Sequence, residues 1–321
     1  MILTLTPNPS IDATMQLGDR LRRGLVHRPT SISQVAGGKG VNVTHALTLA
    51  DKLSLALFPA DGNDPFVALA RQAGIPFHSI PVSEGVRINT TLTEPDGTTT
   101  KINGHGATIE PPTRRIIEET VTRLAGNASW LVMAGSLPPG VPEDWYTTLI
   151  ATVRATHPDL LIAVDTSDRA MHALGAGLET AAPTLIKPNG LELGQLVGRD
   201  GEAMEAAAAR GDVADVVEAA RIVVTRGIDE VLVTLGPAGA VLVTSFGAWF
   251  ATPPPVDVQS TVGAGDSSLA GYLIARAEGA DPAGCLARAV AYGTAATGLP
   301  GTTIPSPSQL KLKETHVRHL P

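Results

Sequence analysis

Short apolar runs rich in Val, Ile and Leu alternate with longer helical runs from Ile2 to Thr297, and this alternation constrains the chain more than any other feature. Strands separated by helices pair as parallel neighbours, with helices packed on both faces of the sheet. The strand-like runs are Ile2–Thr6, Leu53–Phe58, Trp130–Met133, Leu160–Val164, Thr184–Ile186 and Val231–Leu235. The helical runs are Val41–Ala50, Asp64–Ala73, Pro112–Ala125, Pro142–Thr156, Val213–Thr225, Ala264–Glu278 and Pro282–Thr297. Two stretches break the pattern. Asp12–Val35 and Val86–Gly104 are β-patterned without intervening helices, and Pro95-Asp96-Gly97 makes a hairpin turn in the second. Such strands join a parallel core poorly, so a separate small sheet is expected. Glu202–Arg210 is alanine-rich and reads as a helix or as a mobile surface insertion. With no internal repeat, no long linker and 43% hydrophobic residues in 321, the expected fold is one α/β domain over 1–321. It is a three-layer αβα sandwich with a mostly parallel central sheet plus a small β-sheet.

A net charge of −7 argues against a nucleic-acid partner, so any phosphate must be held by local geometry. The single Cys285 excludes an internal disulfide, and Met1-Ile2-Leu3 opens a strand-like run with no basic leader; the expected setting is cytoplasmic. The Asn-x-Ser/Thr matches at Asn42, Asn89 and Asn127 then carry no glycan. No apolar segment reaches membrane-spanning length. The eight histidines are scattered, and the close pair His316 and His319 lies in a polar tail expected to fray, so no zinc site is indicated. No Gly-x-Ser-x-Gly elbow is present.

Chemistry concentrates in two glycine clusters. Gly263 and Gly265 leave the backbone free to turn its N–H groups toward an anion, the helix that follows adds the positive end of its dipole, and Asp266 stands beside that spot. A carboxylate next to a phosphate is costly unless it has a task, such as taking the proton of an attacking hydroxyl. A plain helix N-cap, assisted by Ser267 and Ser268, fits the same residues. The second cluster, Gly37-Gly38-Lys39-Gly40, also precedes a helix, and Asn42 can donate to and accept from hydroxyls. Neither cluster ends in Gly-Lys-Ser/Thr, and Ser268 occupies the third glycine position of a dinucleotide fingerprint.

The Gly-Gly-Lys-Gly-x-Asn segment and Gly-Ala-Gly-Asp resemble the two signatures of the ribokinase-like carbohydrate kinases, the phosphofructokinase B family. Thr6–Asp12, Gly135–Gly140, Lys187–Glu192 and Ser260–Asp266 extend the resemblance along the chain. It implies an ATP-dependent kinase of a ketohexose phosphate, fructose 1-phosphate first and tagatose 6-phosphate or fructose 6-phosphate next. A catalytically silent sugar-phosphate sensor on the same fold is disfavoured by the intact Gly-Ala-Gly-Asp. The small sheet becomes a lid over the sugar and the contact of a homodimer. Asp266 is the expected base, with Gly263, Ala264 and Gly265 as the anion hole. Asp12, Gly37, Gly38, Lys39, Asn42 and Ser136 fall on the sugar side. Arg87 and Lys101, on the lid strands, are placed to clamp the substrate's own phosphate, although a basic residue on an exposed strand is often just solvated. Lys187, Asn189, Thr234, Gly236, Gly239, Ser260, Thr261 and Val262 fall on the nucleotide side. Glu192 matches the acidic position of the family's Asn-x-x-Glu motif, which organises Mg²⁺ largely through water; a helix cap by Asn189 with Glu192 on its solvated face fits equally. Ser260 replaces the aspartate many members carry at a position linked to monovalent cations, which removes the family's support for potassium activation.

Overall fold

Runs such as Ile2–Leu5 and Trp130–Ala134 have no solvent face, so they belong in the middle of a sheet covered on both sides. The computed structural model, which describes residues 1–321, puts them there. In chain order the strands are β1 (Ile2–Leu5), β2 (Ser10–Leu17), β3 (Pro29–Gly37), β4 (Ser54–Pro59), β5 (Phe77–Ile80), β6 (Arg87–Thr93) and β7 (Thr99–Asn103). They continue with β8 (Trp130–Ala134), β9 (Leu161–Asp165), β10 (Leu185–Ile186), β11 (Glu230–Thr234), β12 (Ala240–Thr244), β13 (Gly247–Thr252) and β14 (His316–Leu320). Ten form one sheet in the order β14-β13-β12-β11-β10-β9-β8-β1-β4-β5. It is parallel from β5 across to β11 and antiparallel beyond. Alternate residues feed opposite layers: Leu3, Leu131, Ile162 and Val233 join one apolar cluster, while Ile2, Val132, Ala163 and Leu232 join the other.

The chain starts in β1, builds outward through β4 to β5, then returns to β8 on the other flank of β1. Strand order therefore reverses between β1 and β8, where an open α/β sheet has its ligand crevice beyond the carboxyl ends of the strands. Over that edge stands the second sheet, ordered β3-β2-β6-β7. Its register separates two faces. Ser10, Asp12, Thr14, Arg87, Asn89, Thr91 and Lys101 share one face, and Ile11, Met15, Ile32, Ile88, Leu92 and Ile102 share the other.

The structure corrects several expectations. The polar tail does not fray: His316–Leu320 pairs with β13, and Trp249 meets His319 edge to face at 5.3 Å. Gly201–Ala208 is a helix, capped by Asp200, rather than a mobile insertion. Strands β5, β12 and β13 and the helices Asp168–Ala176 and Leu178–Ala181 were not expected. The helix expected from Pro142 begins at Trp145, after a turn in which Trp145 N–H donates to Pro142 O. The first lid segment is two strands joined by a turn-rich connection over 18–28, and its pairing begins at Ser10 rather than Asp12. No helix is long and apolar enough to cross a membrane.

Candidate active site

Gly263 takes φ +79°, the left-handed region glycine enters without strain, and turns the chain into the helix Ala264–Ala277. No side chain caps that helix, and Ser267 is buried with its Oγ unpartnered. The capping alternative therefore fails, and the first N–H groups, which by geometry lack intrahelical acceptors, are left without a side-chain partner, as a helix N-terminus that can receive an anion requires. Asp266 lies in the first turn, buried, with Oδ2 accepting from Asn42 Nδ2 at 2.8 Å. Burial and the neighbouring Asp165 raise its pKa to about 6 against the opposing pull of Lys39, Lys187 and the Asn42 hydrogen bond. A carboxylate so poised is ionised near neutrality yet able to accept a proton.

Lys39, expected on the sugar side, instead reaches across the crevice. Its Nζ lies 2.7 Å from Asp165 Oδ1, and Lys187 Nζ lies 3.2 Å from Asp165 Oδ2. A methyl on Gly265 would come within 3.1 Å of Lys187 Nζ, so this ammonium rests against the anion-hole backbone. Burial opposes the charge of Lys39, but Asp165 and Asp266 outweigh it and hold its pKa above the ordinary ammonium value. Asp165 is buried at the end of β9, and although desolvation opposes it, the two lysines keep its pKa low. Sequence reasoning missed Asp165; the signal was a single aspartate ending the apolar run Leu161-Ile162-Ala163-Val164 at the crevice edge.

On the sugar side the polar face of the lid meets the end of β1. Asp12 Oδ1 accepts from Ser10 Oγ at 2.8 Å and Asn89 Nδ2 at 3.2 Å. A methyl on Gly37 would fall 2.3 Å from Asp12 Oδ2, so glycine there makes room for the carboxylate. Arg87 donates to Asn8 O and Gly104 O, both at 3.1 Å, and leaves its buried Nε unpartnered. Asn8 Nδ2 donates to Ser136 Oγ at 3.3 Å, and the Oδ1 atoms of Asn8 and Asn89 are buried without partners. Two acceptor oxygens and one guanidinium donor thus lie buried without partners around this end of the crevice, a departure from the usual pairing of buried polar groups. Asn8 and Asn89, like Asp165, were not among the expected residues. Lys101 shares the face of Arg87 but stands exposed and makes no ion pair.

On the nucleotide side Asn189 and Glu192 do form a capping box, with Glu192 N–H donating to Asn189 Oδ1 at 2.7 Å and Asn189 N–H to Glu192 Oε2 at 2.9 Å. Glu192 is half-buried rather than solvated, and burial raises its pKa. Asn189 bridges to Thr234 at the end of β11, followed by the turn Gly236–Gly239, exposed at Gly236 and Pro237 and buried at Gly239. Ser260 Oγ accepts from Val262 N–H at 3.2 Å, tying Ser260, Thr261 and Val262 into the turn that delivers Gly263. No three His, Cys, Asp or Glu side chains gather into a direct metal site.

Residues 6–309 match the family described as pfkB family carbohydrate kinase. Over 99% of its length the chain is 35% identical to a 1-phosphofructokinase of Haloferax volcanii, covering 97% of that protein. It is 33% identical to the ATP-dependent 6-phosphofructokinase isozyme 2 of Escherichia coli K12, with 94% of each chain covered. The crystal structure of phosphofructokinase-2 from Escherichia coli in complex with substrates and products superposes with a TM-score of 0.86, at 33% identity over 96% of each chain.

Proposed function

The chain belongs to the pfkB family of carbohydrate kinases, and from that premise we propose that it uses ATP to phosphorylate fructose 1-phosphate at its free primary hydroxyl, giving fructose 1,6-bisphosphate and ADP. One kinase domain, 1–321, works in the cytoplasm with the sheet β2, β3, β6 and β7 as its lid. The observation that carries this reading is the buried Asp266 carboxylate at an uncapped helix N-terminus, with the Lys39 and Lys187 ammonium groups nearby. Asp266 takes the hydroxyl proton as the γ-phosphoryl transfers. The N–H groups of Ala264, Gly265 and Asp266 and the two lysines balance charge on the phosphoryl. Asp12, Asn42 and Asn8 hold sugar hydroxyls, while Arg87, Ser136 and, on closure, Lys101 take the phosphate already present.

Magnesium fits through water. Glu192 spends Oε2 on the Asn189 N–H and keeps Oε1 free of protein hydrogen bonds, and the site lacks the carboxylate cluster that direct chelation needs. Bound there, the ion supplies charge neutralisation to the ATP phosphates.

We further propose a homodimer formed through the lid. Its polar face addresses the sugar while Ile32, Ile88 and Ile102 on the opposite face stay 58%, 49% and 60% exposed.

The 33% identity to a 6-phosphofructokinase favours fructose 6-phosphate as the second reading. ATP consumption measured against fructose 1-phosphate, fructose 6-phosphate, tagatose 6-phosphate and free fructose separates the two. A kcat/KM at least ~10-fold higher for fructose 1-phosphate is expected. A preference for fructose 6-phosphate would move the assignment, and no turnover with any sugar would sink the kinase reading in favour of a silent sensor.

A further inference from the structure

Asp165 is the one buried charge beside the anion hole that the proposed chemistry leaves without a task. It touches neither sugar nor nucleotide groups in the proposed scheme, yet it binds both crevice lysines, one from the helix Lys39–Leu49 and one from the segment after β10. Lys39 donates a well-formed hydrogen bond to Oδ1, whereas Lys187 pairs with Oδ2 without an aligned one, so Lys187 retains donors for a second anion. The charged and titratable groups around Asp165 are Lys39, Lys187, Asp266, Glu192 and the phenol of Tyr146. Two ammonium groups beside a helix N-terminus repel one another, and a phosphoryl dianion can use both only if something anchors them beforehand.

We propose that Asp165 is a positioning residue that anchors Lys39 and Lys187 from beneath, so that both ammonium groups are set toward the transferring phosphoryl before ATP arrives. The inference rests on the kinase reading above. Its electrostatic consequence is separate from a packing role. The Asp165 charge raises the Asp266 pKa and the Lys39 charge lowers it, so removing each should move the acid limb of the rate profile in opposite directions.

The test compares Asp165→Asn, Lys39→Gln and the double variant with the wild type. For folded Asp165→Asn, kcat falls about 10²-fold with the sugar-phosphate KM within about twofold, because misplacing an orienting charge acts on the transition state. The acid limb moves to lower pH in Asp165→Asn and to higher pH in Lys39→Gln. The double variant removes the Lys39–Asp165 pair together while Lys187 stays without its partner, and it loses no more kcat than the worse single. A folded Asp165→Asn with normal kcat, acid limbs that stay in place, or a double variant whose loss is the product of the singles overturns the proposal. Calorimetry with ATP alone gives an arm that needs no turnover. Asp165→Asn weakens ATP about tenfold, and the double variant binds ATP more weakly than Lys39→Gln because Lys187 is then unanchored as well; unchanged affinity in these comparisons overturns the anchor. A wild type that binds ATP but phosphorylates no sugar counts against the kinase reading instead.

Discussion

Burial beside Asp165 raises the Asp266 pKa to about 6, from the ordinary carboxyl value of 3.8, and the sign of that shift has two consequences. The base must be ionised, so kcat/KM, which reports the unliganded enzyme, should fall as pH drops through about 6. The folded state also binds the Asp266 proton more tightly than the unfolded chain does, so this group's contribution to stability declines as pH rises from about 4 to about 6 and stays low above. Asp266→Asn keeps an oxygen for Asn42 to donate to but carries no charge. At pH 7.5 the variant should therefore be more stable than the wild type by about 3 kcal/mol, with turnover down ~10²–10⁴-fold. Denaturant melts at pH 4.5 and 7.5 check it: the gap should be full at the higher pH and shrink to roughly a third at the lower, because it closes completely only below the unfolded carboxyl's pKa. A less stable Asn variant at pH 7.5 would contradict the electrostatic account. At this scale the sequence was legible where a turn and a charge coincide, as at Gly263–Asp266 and Gly37–Asn42. Asp165 was illegible because its partner Lys39 lies 126 residues away and only the sheet brings them together.

At the scale of elements, the parallel strands β1, β4, β8, β9 and β11 were readable because burial on both faces forces continuous apolar runs. The far flank was not. Strands β12 to β14 are antiparallel, and β14 carries His316, Arg318 and His319, whose place in a sheet depends on β13 being there to pair with. The helix that carries Asp266 is fixed by a close crossing with the helix Pro282–Thr297. A methyl on Gly271 would meet Arg288 O at 2.6 Å and Tyr292 Cδ2 at 2.8 Å. A backbone oxygen cannot swing aside, so Gly271→Ala must part the two helices despite alanine's better helix propensity. We expect a loss of about 1–2 kcal/mol and a fall in kcat of about tenfold, because the base rides on the displaced helix. Gly62→Ala, whose methyl meets nothing within 4 Å, is the control. A raised melting temperature with unchanged kcat in Gly271→Ala would show that the crossing tolerates the methyl.

For the whole molecule, the breaks in the helix–strand alternation were what the sequence offered about the second sheet; the two-faced character of that sheet needed the register. Pairing Met15 with Ile32 and Leu92, and Thr90 with Ile102, puts the branched apolar side chains on the face away from Asp12 and Arg87. Near its base this face is covered by the chain itself, since Ile11 and Ala36 pack with Phe58 and Phe66. Farther out Ile32, Ile88 and Ile102 stay open, and Leu25 and Val26 in the connecting turn are 61% and 83% exposed. A four-stranded sheet with an open apolar face and two free edges invites pairing, and a two-fold contact with the same sheet of a second copy covers the face without leaving a surface on which further copies could add. The expected outcome is a dimer by light scattering at micromolar concentration. Ile32→Asp/Ile102→Asp places a charge at each side of the contact, and burying either without a partner costs several kcal/mol, so the double variant should run as a monomer. Its ATP affinity should be unchanged, because Lys187, Asn189 and Thr234 sit on the main sheet. Its KM for the sugar phosphate should rise, because Asp12 and Arg87 sit on strands the partner no longer steadies. A wild type that is monomeric and fully active would remove the dimer, and a monomeric double variant with unchanged sugar KM would keep the dimer but separate it from the site.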